Sequence, residues 1–302
     1  MKKRSLMSSP RSILMLALAL ALPALAPFAV GSRGGEAGGE ADALRVMSFN
    51  IRMRTIMDGR DYWPLRKAEV VGLIKRYDPD LIGFQEVKHS QLKDLEALLP
   101  AYSAFGAARD DGKNRGERCS IFYRTDRFEL LAQDTFWLSE TPSVPGSRSW
   151  DSACNRIVTW GRFRDQRTGV VFYLFNTHFD HRSEQARQES TRLLIEKAAA
   201  LAGDSPVLIA GDFNAREDSV AYQRMTEVFL DAREVSETPP AGPLGTSRSF
   251  TPGTPPGARI DYVFVSRGVR VLSYAALDDT YGLDRRPSDH LPILVEVLVS
   301  EP

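Results

Sequence analysis

The sequence predicts an α+β fold: two mainly antiparallel sheets packed face to face, with helices outside. Three observations carry this expectation. Short apolar runs of strand length recur along the chain after residue 43. Segments of helical period lie before and after a middle that is rich in such runs. Five polar motifs, Phe49-Asn50-Ile51-Arg52, Gln85-Glu86, Asn176-Thr177-His178, Gly211-Asp212-Phe213-Asn214 and Ser288-Asp289-His290-Leu291-Pro292, each sit at the end of a strand-like run. Side chains at strand ends gather at the mouth of a sheet, where distant segments build one site.

Leu44–Phe49 reads as the first strand. Arg66–Arg76 places Val70, Leu73 and Ile74 at helical spacing, and Asp78-Pro79 ends that helix. Leu81–Phe84 is a short buried strand, and Leu92–Leu99 a helix stopped by Pro100. Strands follow at Tyr102–Gly106, Ser120–Arg124, Phe128–Leu138, Ile157–Phe163 and Val170–Phe175. The polar stretch Arg164–Gly169 signals a hairpin between the last two. Ser183–Leu201 is a long helix, Val207–Ala210 a strand, and the Pro- and Gly-dense Thr238–Gly257 a surface loop. Ile260–Val265, Val269–Tyr274 and Ile293–Val299 close the chain as strands.

The chain has 302 residues and 43% hydrophobic content, enough for one large domain. Residues 1–30 read as a signal peptide: Lys2, Lys3, Arg4 and Arg11 precede an apolar run from Ile13 to Val30. Cleavage after Ala24-Leu25-Ala26 competes with a cut near Gly31, because Pro27 hinders the first; an uncleaved anchor is the alternative. Residues 31–43 read as a Gly-rich linker and 44–299 as the domain that carries the five motifs, expected to be exported to the periplasm or the outside. The first 41 residues hold five basic and two acidic side chains, so the remainder holds 34 basic and 37 acidic. Such a body carries no broad nucleic-acid footprint. Cys119 and Cys154 are the only cysteines. Two free thiols are expected, with a disulfide as the alternative in an oxidising compartment.

The motifs combine carboxylates for a hard cation, asparagines to hold an anion and histidines to move protons, which suits metal-assisted phosphoester hydrolysis. Glu86 ends a buried strand, where an unpaired carboxylate is costly and a divalent cation neutralises it. Of the four histidines, His178 and His290 lie in carboxylate-flanked motifs. His181 either lines the pocket or caps the next helix, and His89 is a surface residue. Gly211 permits a sharp turn that aims Asp212 and Asn214 the same way, one to take a proton from water and one to steady a phosphoryl oxygen.

This ordered set resembles the endonuclease/exonuclease/phosphatase superfamily, the DNase-I-like fold, over about Leu44 to Val299. The resemblance implies a four-layered αββα sandwich with the site at one edge of the sheets. It implies Glu86 as the main ligand of Mg²⁺ (Mn²⁺ as a substitute), Asp289 as a second ligand, and Asn50 at the metal or the scissile phosphate. His178 would bind and polarise the phosphate, Asp212 orient or deprotonate water, and Asn214 stabilise the transition state. Asp261, in Arg259-Ile260-Asp261-Tyr262, would orient His290, a proton carrier or phosphate contact. Glu117-Arg118-Cys119-Ser120-Ile121-Phe122-Tyr123-Arg124 is similar to the Glu-Arg strand of DNase I, which implies that Glu117 supports His178. Arg156 resembles a phosphate-contacting arginine.

Departures narrow the substrate. Arg52 stands where abasic-site nucleases carry an acid, and their long basic DNA-gripping inserts are not evident. Loops Thr55–Trp63, Phe136–Asp151 and Thr238–Gly257 flank the site instead, with Trp63, Trp137 and Trp150 expected to pack. Phe136-Trp137-Leu138-Ser139-Glu140-Thr141-Pro142, followed by Trp150-Asp151, resembles a bacterial, often exported subgroup. The expected protein is an exported, monomeric, Mg²⁺-dependent phosphodiesterase or phosphomonoesterase with no obligate protein partner. Its substrate is a phosphate ester: a small molecule, a lipid head group or nucleic acid. A secreted nuclease acting on DNA or RNA is the alternative. The intact motif set argues against a non-enzymatic binding module.

Overall fold

A computed structural model describes residues 42–251, 253–254, 257–282 and 285–301. The signal peptide expected over 1–30, and all of the linker but its last two residues, lie outside the described residues. No helix among the described residues is long and apolar enough to cross a membrane.

β1 (Leu44–Asn50) leads through a short 3-10 segment (Ile56–Asp61) into α1 (Trp63–Tyr77), β2 (Leu81–Gln85) and α2 (His89–Leu98). Then come β3 (Tyr102–Phe105), β4 (Ile121–Arg124), β5 (Phe128–Trp137), β6 (Ile157–Asp165) and β7 (Val171–His178). α3 (Glu184–Ala202), β8 (Val207–Asp212), α4 (Val220–Val228) and β9 (Leu230–Asp231) follow. β10 (Asp261–Val265), β11 (Arg270–Ala276) and β12 (Ile293–Leu298) complete the chain.

The strands form two six-stranded sheets, ordered β11-β12-β1-β2-β4-β3 and β5-β6-β7-β8-β10-β9. Each is antiparallel except for one parallel pair, β1 with β2 and β7 with β8. Period-2 side-chain alternation explains how they stack. Leu174, Leu208 and Val263 of the second sheet join Val46, Leu81 and Val295 of the first in one core between the sheets. Their neighbours Phe175, Ile209 and Phe264 face outward against Leu194 of α3 and Met225 of α4. Strands β7, β8 and β10 are therefore buried on both faces, which is why they read as continuous apolar runs.

One polar staple crosses this apolar interior beneath the site. Asn176 of β7 donates to the carbonyls of Phe84 and Ser120 at 2.9 and 3.0 Å, and its own oxygen accepts from Gln85 Nε2 at 2.8 Å. The sheets approach so closely there that a Cβ on Gly83 would lie 2.8 Å from Asn176 Oδ1. Gly83→Ala should therefore push the staple apart and destabilise the fold by about 1–3 kcal/mol, the usual cost of overpacking. Denaturant unfolding of purified protein checks this; an unchanged midpoint would mean that the sheets separate without penalty.

Cys119 and Cys154 are both free, with Cys119 buried. Trp63 and Trp137 are 0% and 4% exposed, so these two ring systems pack rather than wait for substrate.

Candidate active site

Topology brings the motifs to one edge of the sandwich. In the second sheet, β8 pairs Asp212 with His178 on one side and with Asp261 on the other, so three motif residues sit in register on adjacent strands. In the first sheet, β1 aligns Asn50 with Gln85, one residue before Glu86. The Ser288–His290 segment enters β12, which runs antiparallel to β1, and so arrives at the same end. Gly211 allows β8 to lie this close to β7, since a Cβ there would lie 2.6 Å from the Thr177 carbonyl.

Six non-glycine residues among those described have positive φ, and Arg52, Glu86 and Asn214 are three of them. Each follows a motif strand. Left-handed backbone at such residues costs about 1–3 kcal/mol and persists where the surroundings enforce it, as at functional sites. Arg66 is one enforcing group. Its fully buried guanidinium donates to the carbonyls of Ile51 and Arg52 at 2.7 and 2.8 Å, of Pro287 at 2.9 Å and of Asp61 at 2.7 Å. It thereby ties the turn after β1 to the segment that carries His290.

Asp212 is the hub. Asn50 Nδ2 donates to its Oδ2 at 3.0 Å, and the Asn214 N–H donates to its Oδ1 at 3.0 Å. His178 Nε2 lies 3.4 Å and His290 Nε2 3.9 Å from Oδ2. Burial pushes the Asp212 carboxyl up to about 7; the Asp261 charge adds to this, while His290 and the Asn50 bond oppose it. His290 Nδ1 lies 2.9 and 3.1 Å from the two oxygens of Asp261. Burial disfavours the imidazolium, yet Asp261 and Asp212 outweigh burial and hold His290 well above its usual pKa. Asp261 is aimed in turn by Thr246, whose hydroxyl donates to its Oδ2 at 2.6 Å and accepts from the Ile260 and Asp261 N–H groups.

His178 is the opposite case. Burial first, then the charges of Arg156 and Arg109, hold it well below its usual pKa, so it is the neutral imidazole of the pair. Asn214 Nδ2 donates to the Phe179 carbonyl at 3.0 Å, which leaves its second amide hydrogen for a ligand.

Glu86 accepts from Asn50 Nδ2 at 3.1 Å and from the Met53 N–H at 2.9 Å. Burial raises its pKa, but the Met53 bond, His290, Asn50 and Arg52 together bring it below the usual range. Asp289 is raised, by burial first and by the Glu86 charge, against His290 and Arg52. Asp212, Asp261 and His290 also bring potential ligand atoms within 4.8 Å of one another. A protonated imidazole cannot ligate a metal, and His290 is the group these carboxylates keep protonated. Glu86 and Asp289, whose charges oppose one another, offer only oxygens, as a hard divalent cation requires. The donor chemistry thus fits such an ion at Glu86 and Asp289. Asn50 stands beside it as a donor to Glu86 and Asp212, while its oxygen accepts from the Arg52 N–H at 2.9 Å.

One expected pairing is corrected. Glu117 does not support His178. It accepts from Arg109 Nη1 at 2.6 Å and lies 3.6 Å from Lys88 Nζ. Two permanent cations attract the carboxylate more strongly than a histidine that its surroundings keep neutral. Glu117 still lines the same cavity as His178, together with Glu86, Arg109, Arg118 and Arg156. Arg156 is buried beside the site, and its Nη2 lies 3.0 Å from His181 Nδ1. His89 opens α2, exposed, 3.5 Å from Arg118 Nη2.

Arg66, Arg109 and Thr246 were not foreseen. Arg66 lies four residues before Val70 on the apolar face of α1, and a charge on that face was the available signal. Arg109 and Thr246 sit in loops, where periodicity says nothing.

The pattern of the Endonuclease/Exonuclease/phosphatase family matches residues 47–290. A mannosyl-6-phosphatase of Bacteroides thetaiotaomicron VPI-5482 is 38% identical, with a TM-score of 0.81 and 84% of this chain and 99% of that one covered. An endonuclease/exonuclease/phosphatase from Bacteroides vulgatus is 37% identical, with a TM-score of 0.81 and 85% and 99% covered. Nocturnin of Drosophila melanogaster is 30% identical over 206 residues, which make up 61% of this chain but only 30% of that protein. With both the matched pattern and the site at one edge of a two-sheet sandwich, the chain belongs to the endonuclease/exonuclease/phosphatase family of phosphoric ester hydrolases, enzymes that generally depend on a divalent metal.

Proposed function

We propose that the protein is an exported, Mg²⁺-dependent phosphomonoesterase whose substrate is a phosphorylated sugar. The observation that carries this reading is its likeness to the mannosyl-6-phosphatase, which extends over 84% of this chain and 99% of that one. The site chemistry agrees with it. Glu86 and Asp289 would hold a Mg²⁺ ion, which would supply charge neutralisation at the phosphoryl oxygens. Asp212, with its pKa raised to about 7, is matched to taking a proton from water near neutral pH. Neutral His178 and the free amide hydrogen of Asn214 hold phosphoryl oxygens. Protonated His290, fixed by Asp261, delivers positive charge and a proton toward the leaving oxygen. The feature that favoured a nuclease, Glu117 behind the motif histidine, is engaged with Arg109 instead.

The test is hydrolysis of a panel with and without Mg²⁺: mannose 6-phosphate, p-nitrophenyl phosphate, bis-p-nitrophenyl phosphate, inositol phosphates, supercoiled DNA and RNA. The monoesters should turn over only with Mg²⁺. Cleavage of DNA or RNA that falls steeply with salt, with monoesters untouched, would replace the reading with a nuclease. Export is checked by the mass of the periplasmic protein, expected to lack about the first 30 residues of the chain.

A further inference from the structure

The cavity beside His178 holds more guanidinium than the structure itself uses. Arg156 is 5% exposed; its Nε lies 3.7 Å from Asp180 Oδ2 but makes no hydrogen bond, and its Nη1 has no hydrogen-bond partner in the protein. Arg109 Nε and Arg118 Nη1 are likewise buried without a hydrogen bond. All three side chains line the cavity that His178 and Glu86 also line. Buried donors left without hydrogen bonds are costly, more so when charged, so a group of them beside an active site points to an anionic ligand.

Arg109 is the best placed of them. Its N–H donates to the Glu117 carbonyl at 2.9 Å, and its own carbonyl accepts from Trp137 Nε1 at 2.6 Å. Its Nη1 is held by the Glu117 carboxylate at 2.6 Å, while Nε, 3.9 Å from Asp110 Oδ1, makes no hydrogen bond. Backbone and side chain are thus both anchored, and little rotamer entropy remains to be lost on binding. Behind the arginines, Cys119 and Ile157 line the cavity and pack with Trp137 in an apolar cluster.

We propose that Arg109 joins Arg156, the arginine that resembles a phosphate contact, in recognising a terminal phosphate, which makes Arg109 a specificity-determining residue. This rests on the monoesterase reading above and deepens it. A phosphomonoester carries a charge of about −1.5 to −2 at neutral pH and three acceptor oxygens outside the ester bond. A diester carries one charge and two such oxygens. The extra oxygen and charge find the unpaired donors of Arg109 and Arg156, and planar guanidinium groups suit that geometry. A diester leaves those donors buried and unpaired, which is a penalty against the wrong substrate as much as a gain for the right one.

The experiment uses the full chain with Mg²⁺ and compares wild type, Arg109→Gln and Arg109→Lys. It reads the ratio of kcat/KM for p-nitrophenyl phosphate to that for bis-p-nitrophenyl phosphate, and the affinity for inorganic phosphate by calorimetry. In Arg109→Gln the ratio and the phosphate affinity should each fall about 30-fold, the scale of one charge-assisted hydrogen bond. Arg109→Lys keeps the charge without the fork and should lie between; it decides the matter if the glutamine variant does not fold. If the ratio and affinity stay at wild-type values in a folded variant, or wild type ignores phosphate, the pocket is overturned while a monoesterase reading survives. Wild type that cleaves only the diester, with phosphate binding still dependent on Arg109, overturns the monoesterase reading and keeps the pocket.

Discussion

Asp212→Asn should lower kcat by about 10² or more and remove the acid limb of the pH–rate profile. The substitution keeps shape and lets an amide oxygen still accept from the Asn214 N–H, so the loop geometry should survive. What disappears is a carboxylate that can take a proton. In the wild-type site, burial, aided by Asp261, pushes this group up to about 7. Its basic form therefore grows as pH rises through that value, and the rate should rise with it. Stability moves the other way. A carboxyl whose folded pKa stands above its unfolded value near 3.8 favours the protonated folded form, so this contribution fades as pH rises from that value toward 7. Rate and stability should thus have opposite pH slopes in wild type, and Asp212→Asn should flatten both. His290→Ala removes the imidazolium that opposes the rise at Asp212 and should cost a similar factor in kcat. The measurement is kcat from pH 5 to 9 with thermal melts at the same points. Activity within tenfold of wild type in both variants would sink the assignment of this pair.

How much of this was legible in the sequence depends on the kind of signal. Strands buried on both faces, such as β8, announce themselves as apolar runs, and the polar residues that end them stand out by contrast. Asn50, Glu86, His178, Asp212, Asp261 and His290 were therefore all readable as candidates, and the structure brings them to one edge of the two-sheet sandwich. The start of α1 was less legible. Its apolar periodicity starts at Arg66, but the helix begins at Trp63 with Pro64 in its first turn, where the missing N–H costs nothing. α4 and the two-residue strand β9 were missed, because short elements owe their form to packing more than to their own pattern. Pairings between distant loops were the weakest ground. Asp261–His290 was foreseen by resemblance and is present at 2.9 Å, whereas Glu117–His178 was foreseen in the same way and is absent. The difference is physical. Asp261 meets a histidine held positive, whereas Glu117 is taken by an arginine and a lysine that neither motif contains, and the histidine it was expected to support is held neutral.

Glu86→Gln should abolish Mg²⁺-dependent turnover, with a loss of about 10³-fold or more in kcat/KM if the cation supplies several kcal/mol of charge stabilisation. Metal-free protein provides an independent readout. Glu86 faces Asp289 and raises its pKa, so removing one negative charge relieves repulsion. The neutral variant can still accept one of the bonds from Asn50 Nδ2 and the Met53 N–H that hold the wild-type carboxylate. Without metal its melting temperature should therefore stay within a few degrees of wild type. With metal the two should part. A ligand present at 100 times its Kd stabilises the wild-type fold by about 2.7 kcal/mol, and a variant that has lost the ion gains nothing. Melting curves across a Mg²⁺ series, repeated with Mn²⁺, separate the two candidate seats. If the variant gains as much stability as wild type, the ion binds among Asp212, Asp261 and His290, and His290 must then be neutral in the loaded enzyme. If the gain vanishes, the oxygen pair Glu86 and Asp289 is the seat, and the histidine beside it keeps its proton for the ester.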